Sequence, residues 1–219
     1  MNPDVAVSLP DRERLRHRAA AGDVEAWGVL LTEHEARLCR MVAFRLDPRL
    51  RGRIEASDVV QEAYVGAAAQ RADYFGQPQA PPLFLWLRGI VANKLLEVHR
   101  HHLGTRMRDA ARDVARVGRA APDATSVALV AQLAGHATGP GTAAARSELS
   151  ARLHDALDAM AAADREVLAL RHFEQLSNGE AAQVLGIHER AAAKRYVRAL
   201  RRLRDALAQA PGGLTGMRP

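Results

Sequence analysis

The chain has 219 residues, of which 48% are hydrophobic but only 4% aromatic, and it carries a formal charge of +6 with an isoelectric point near 10.3. That length fits one large domain or two small ones, and the basic balance points to an anionic partner, nucleic acid ahead of an acidic membrane. Cys39 is the single cysteine, which excludes an internal disulfide; between Leu38 and Met41 on an apolar stripe it reads as a small core residue. No apolar run approaches the ~20 residues of a membrane span. The opening MNPDVAVSLPDRERLRH places acids where a signal peptide needs apolar residues. A cytoplasmic protein is expected. Ala, Leu and Arg dominate, so the expected fold class is all-α.

In chain order, a short helix around Leu15 and Ala19 leads a longer one that Asp23 can cap. Trp27, Leu30, Leu31, His34, Leu38, Met41, Val42 and Leu46 recur at the spacing of one buried helical face. Asp47-Pro48 ends this helix, because the residue before proline is pushed out of helical geometry. Ser57 or Asp58 starts the next, with Val60, Ala63, Tyr64, Ala67 and Ala68 inward. A turn-rich stretch, Gly76 to Pro82, precedes a helix from Leu83 to about His102 that buries Leu83, Leu87, Ile90, Val91, either the stem of Lys94 or Leu95, and Val98. These helices make a compact bundle.

From Gly104 to Ala145 the chain is rich in Gly, Pro, Ala and Thr and reads as a flexible linker. Periodicity returns with Leu149, Leu153, Leu157 and Met160, then with a helix capped by Asp164. Ser177 and Glu180 have the spacing of a capping box, Gly186 allows a left-handed turn, and a basic helix begins near His188. A short helix, a glycine turn and a longer basic helix form a helix-turn-helix. The expected architecture is two small helical domains, 1–103 and 147–210, joined by a linker at 104–146 and followed by a disordered tail at 211–219.

Two helices carry the functional charge. On the last, Ala192, Tyr196, Ala199 and Leu203 face the core, which leaves seven cations against Glu189 and Asp205 on the remaining surface. Residues early in a recognition helix reach base edges and later basic ones meet phosphates, so Glu189, Arg190 and Lys194 are assigned to base reading. Arg195, Arg198 and Arg201 are assigned to the DNA backbone, with His188 near a phosphate at the helix start. The helix from Leu83 carries Arg88, Lys94 and Arg100 beside Trp86 and Asn93, an aromatic and cationic set that suits melted DNA.

The segment Ala56 to Tyr64 resembles the DxVQE core of region 2 in the sigma-70 family, and Phe84 to Lys94 resembles that region's FxxWLxxIAxN helix. Asp164 to Leu168 and Leu176 to Leu203 resemble region 4. The order, and the lack of further regions, point to the extracytoplasmic-function group. The resemblance implies a sigma factor that binds core RNA polymerase and directs promoter-specific initiation. Asp58, Gln61 and Glu62 would meet the β′ clamp helices, region 4 would lie at the β flap, and the chain would be monomeric when free. Trp86, Arg88, Asn93, Lys94 and Arg100, with the loop from Ala72 to Pro82, would read the −10 element, and region 4 the −35 element. An anti-sigma factor is a further partner it allows. On the recognition helix, His188, Ala191, Ala192, Ala193 and Lys194 depart from the Ser-x-x-Thr-Val-Lys-Ser-Arg of many members.

The alternative is a helix-turn-helix regulator acting without core polymerase, which leaves Asp58 to Asn93 unexplained. An enzyme is not expected, since no phosphate loop, nucleophile elbow or paired-cysteine spacing is present. No cofactor or metal is expected either, and His99, His101 and His102 read as solvent- or phosphate-facing.

Overall fold

The structure, a computed structural model, describes residues 9–103, 153, 155–157 and 159–209. The linker expected at 104–146, the helical turn expected at Leu149 and the tail expected at 211–219 lie outside them. Among the described residues every regular element is helical, and the only extended pairing is an isolated bridge between Arg51 and Ile54.

Helix α1 (Leu9–Ala20) turns into α2 (Val24–Arg45) through Gly22, whose φ of +102° suits a residue without a side chain. Asp23 caps α2 as the sequence predicts, accepting from the Ala26 amide at 3.0 Å while Arg18 donates to it at 2.7 Å. Trp27, Leu30, Leu38, Met41 and Val42 are buried along one face. The helix stops at Leu46, whose extended backbone leads into the Pro48–Leu50 turn.

Helix α3 (Ala56–Ala69) is followed by α4 (Arg71–Gly76), so the loop expected from Ala72 begins as a helix. The reason is Tyr74, which is buried against Phe75 and Trp86 while its hydroxyl donates to the Pro81 carbonyl at 2.9 Å. That bond ties the turn at residues 77–82 to the bundle. Helix α5 (Leu83–Leu103) starts from the Pro82 carbonyl, which accepts from the Leu85 and Trp86 amides.

In the carboxyl-terminal part, α6 (Ala162–Leu168) has Ala161 at its N-cap, not Asp164. Asp164 lies inside the first turn, buried and paired with Arg202, where it still favours the positive end of the helix. A π-helical turn, Ala169–Phe173, follows and ends at Glu174 and at Gln175 with φ of 54°. Helix α7 (Asn178–Leu185) carries the predicted capping box: the Ser177 hydroxyl accepts from the Glu180 amide at 3.1 Å, and the Ser177 amide donates to Glu180 at 2.8 Å. Gly186 closes it in the left-handed region (φ 64°), and α8 (Glu189–Gln209) begins.

The two parts share their interior. Leu170, Leu176 and Ala181 pack in the same cluster as Trp27, Leu38 and Leu87 of the bundle. In return, Phe44 of α2 enters the carboxyl-terminal cluster of Leu157, Val167, Leu168, Ala199 and Leu203. Its ring stacks on Phe173 with centroids 4.7 Å apart. The two halves thus pack face to face.

The capping box is local, so its loss is a local loss. Ser177→Ala should lower stability by about 1 kcal/mol, the usual value of an N-cap hydroxyl, as measured by urea unfolding.

Candidate nucleic-acid and polymerase interfaces

Asp58, Gln61 and Glu62 are all exposed on the outer side of α3, because Val59, Val60 and Ala63 turn the opposite side into the core. Val65, three residues beyond Glu62, extends the strip and is 74% exposed. An acid, an amide and an apolar side chain aligned at helical spacing form a surface suited to a basic, amphipathic partner helix. Sequence reasoning missed Val65, although its i+7 spacing from Asp58 was available. Glu62 also holds Lys94 of α5 at 2.8 Å, and Glu97 holds the same amine at 3.4 Å. Lys94 is therefore tethered beside the α3 strip.

On α5 the structure separates the residues that the sequence grouped. Asn93 and Arg100 are exposed, and with Trp86 they fall seven residues apart on one side of the helix. Trp86 is half-buried. Its ring lies 4.5 Å from Tyr74 and 6.2 Å from Trp27, so it is one wall of an aromatic group and not the exposed plate expected. Arg88 is on the opposite side of α5 and is buried.

That burial reveals a cluster absent from the sequence reading. Arg45 of α2 donates from Nε to Glu174 at 2.6 Å and from Nη2 to Glu166 at 2.7 Å. Arg88 donates from Nε and Nη2 to the two oxygens of Glu174 at 2.6 and 3.2 Å. Side-chain exposures of the four lie between 1% and 4%. Two cations and two anions thus neutralise one another out of water, which is the condition for burying charge. Burial pushes the Glu174 carboxyl up, but Arg45 and Arg88 outweigh it and bring it down to about 2. The signal in the sequence was Arg45 and Arg88 sitting inside apolar stripes, Arg45 after Met41 and Val42, Arg88 between Phe84 and Val91.

Nearby, Arg37 covers the Phe84 ring at 3.7 Å and pairs with Glu180 at 3.3 Å. His34 lies against the same ring, and burial, reinforced by Arg37, Arg12 and Arg16, pulls its pKa down to about 4. His99 is not solvent-facing as expected. It is buried, its Nε2 accepts from the Asp47 amide at 3.2 Å, and burial lowers its pKa, so it is a neutral acceptor. His101 and His102 are exposed. Among the described residues no three His, Cys, Asp or Glu side chains could hold a metal ion.

In the helix-turn-helix, His188, Glu189, Arg190, Lys194, Arg198 and Arg201 are exposed and Arg195 is half-buried. Ala192, Ala199 and Leu203 are buried beneath them. The Glu189 carboxylate lies over Gly179, where an added Cβ would stand 3.8 Å from it. Tyr196 shares a hydrogen bond with His172 at 2.9 Å, which fixes the inner side of α8. Val197, 46% exposed, and Ala193 form a shallow apolar groove flanked by Lys194, Arg198 and Arg201. The outer side of α8 is a cationic surface with an apolar floor, presented on a rigidly capped turn.

Residues 150–203 match the family described as sigma-70, region 4. The RNA polymerase sigma factor NccH of Alcaligenes xylosoxydans xylosoxydans is 28% identical over 192 residues, spanning 87% of this chain and 91% of the relative. The ECF RNA polymerase sigma factor SigD of Mycobacterium tuberculosis is 28% identical over 192 residues, spanning 88% and 82%. A solved structure of CnrH in complex with the cytosolic domain of CnrY aligns with a TM-score of 0.50 and 27% identity, covering 92% of this chain and 99% of that one. Over most of its length the chain is similar to extracytoplasmic-function sigma factors of the sigma-70 family. The match to region 4 falls on α6, α7 and most of α8, and the similarity to the relatives extends over the amino-terminal bundle of the chain as well. None of its described helices is long and apolar enough to cross a membrane.

The direction of the Glu174 shift gives a pH dependence. A carboxyl held below its unfolded value of 4.5 stabilises the fold fully above that pH, and the contribution disappears as pH falls through about 2. Burial works against the Arg45 charge, but Glu166 and Glu174 outweigh it, so Arg45 stays charged throughout. The thermal-stability advantage of the natural chain over Glu174→Gln should therefore be constant from pH 7 to 5 and shrink between pH 4.5 and 2.

Proposed function

We propose that the chain is a sigma factor that binds core RNA polymerase through the outer side of α3 and directs initiation at promoters that have −10 and −35 elements. Residues 1–103 act as region 2 and 147–210 as region 4, with 104–146 between them. Asp58, Gln61 and Glu62 contact the β′ clamp, and region 4 lies at the β flap. Trp86, Arg88, Asn93, Lys94 and Arg100 serve the −10 element. His188, Glu189, Arg190, Lys194, Arg195, Arg198 and Arg201 serve the −35 element.

The observation that carries this reading is the α7–α8 unit. A capped short helix, a glycine turn in the left-handed region and a long helix with exposed cations give the geometry of a major-groove reader. The exposed acid-and-amide strip of α3 supports the polymerase contact. The chain acts in the cytoplasm, as a monomer when free, without catalytic activity of its own. An anti-sigma factor is a further partner in this reading, and the complex of CnrH with a domain of CnrY supports it.

Reconstituted transcription with core polymerase tests the whole. Asp58→Ala with Gln61→Ala should weaken binding to core polymerase by roughly tenfold or more, the scale of losing central polar contacts. Unchanged binding in a pull-down or titration would reject the clamp assignment. DNA binding without any polymerase binding would favour the regulator reading instead.

The two classes of DNA contact should separate as well. Arg198→Ala should weaken binding to every duplex similarly and reduce the slope of log affinity against log salt by about one. Arg190→Ala should alter the order of preference among sequences. Filter-binding or anisotropy series on several duplexes at several salt concentrations read both.

A further inference from the structure

We infer that the buried cluster of Arg45, Arg88, Glu166 and Glu174 is a closure that holds the carboxyl-terminal helices against the bundle and keeps Arg88 from nucleic acid until the two parts separate. The part of this that concerns Arg88 and DNA rests on the functional reading above; the closure itself does not.

Three features of the interface support a closure. First, Arg88 cannot serve two carboxylate oxygens and a DNA phosphate at once. Its Nε and Nη2 are both committed to Glu174, and its side chain is 3% exposed. Glu174 thus stands where an anionic oxygen of a nucleic-acid backbone would otherwise be recognised, since carboxylate and phosphate present similar paired acceptors to a guanidinium. Second, the contact is anchored from both sides. Arg45 reaches Glu166 and Glu174 together and Arg88 reaches Glu174, so α2 and α5 of the bundle are linked to the end of the π-turn and to α6. Around it lie the stacked rings of Phe44 and Phe173 and the Arg37–Glu180 pair. Third, the centre of the interface is ionic. On separation these four groups regain water, so opening does not expose an apolar patch alone, unlike the parting of two halves of a hydrophobic core. An interface that is specific when closed and tolerated when open suits a reversible joint.

The cluster also makes the joint sensitive to single changes. Removing one member leaves an opposite charge buried without its partner, which is the most unfavourable arrangement, and the chain relieves it by opening.

The test uses the full chain in two arms. In the first, solution X-ray scattering compares the natural chain with E166Q/E174Q, with circular dichroism recording helix content. The natural chain should be compact, and the variant should have a larger radius of gyration at unchanged helicity, the closed-to-open ratio falling on the order of a hundredfold. In the second arm, F44C and F173C are introduced together with C39S and joined by a short bis-maleimide cross-linker. Fluorescence anisotropy then measures binding of a labelled 20-nucleotide single strand. The cross-linked chain should bind it at least roughly tenfold more weakly than E166Q/E174Q, one lost charged contact being on that scale. An extended natural chain, or an equal radius for both proteins, would overturn the closure. Should E166Q/E174Q lose helicity, the cross-linked chain is compared with its unlinked parent, and equal binding overturns the proposal. A compact chain whose cross-linking leaves single-strand binding unchanged would reject the withholding of Arg88. Failure of polymerase activation alongside a confirmed closure would instead count against the function proposed above.

Discussion

Four ionised side chains sealed from water decide how this molecule is put together. Neither Arg45 nor Arg88 could lie inside the bundle alone, because an isolated guanidinium in an apolar interior is heavily penalised. Each is tolerated only because Glu166 and Glu174 arrive from a distant segment, 121 residues beyond Arg45 at Glu166 and 86 beyond Arg88 at Glu174. The bundle's interior is therefore incomplete without the carboxyl-terminal helices. Their contribution of Leu170, Leu176 and Ala181 to the same cluster follows from that single requirement.

Local rules account for most of the elements. Asp23, Ser177 with Glu180, and Gly186 each act through neighbours within a turn, which is why their positions could be read from spacing alone. The exposure of Asp58, Gln61 and Glu62 is similarly local, since Val59, Val60 and Ala63 fix which side of α3 turns inward. Family resemblance then attached roles to those exposed residues, which spacing could not have done.

Long-range contacts explain what was missed. Asp164 looks like a cap in the sequence because nothing nearby announces Arg202, yet the pairing with α8 places it inside the helix. Helix α4 looks like loop in the sequence because its order comes from Tyr74 reaching Pro81 and Trp86. Charge alone groups Arg88 with Lys94 and Arg100, although helical phase turns it into the core side of α5. A basic residue within an apolar stripe carries information that a charge count discards, and both Arg45 and Arg88 were of that kind.

The self-sufficiency of the α7–α8 turn has a kinetic consequence. Its amides are satisfied by Ser177, Glu180 and the Gly186 bend, all within the unit itself, so its shape does not depend on which neighbour it rests against. Any anionic polymer that approaches α8 meets a finished surface and need not wait for it to order. Encounter is then governed by how fast opposite charges find each other in solution, a step that dissolved ions slow and chain rearrangement does not limit.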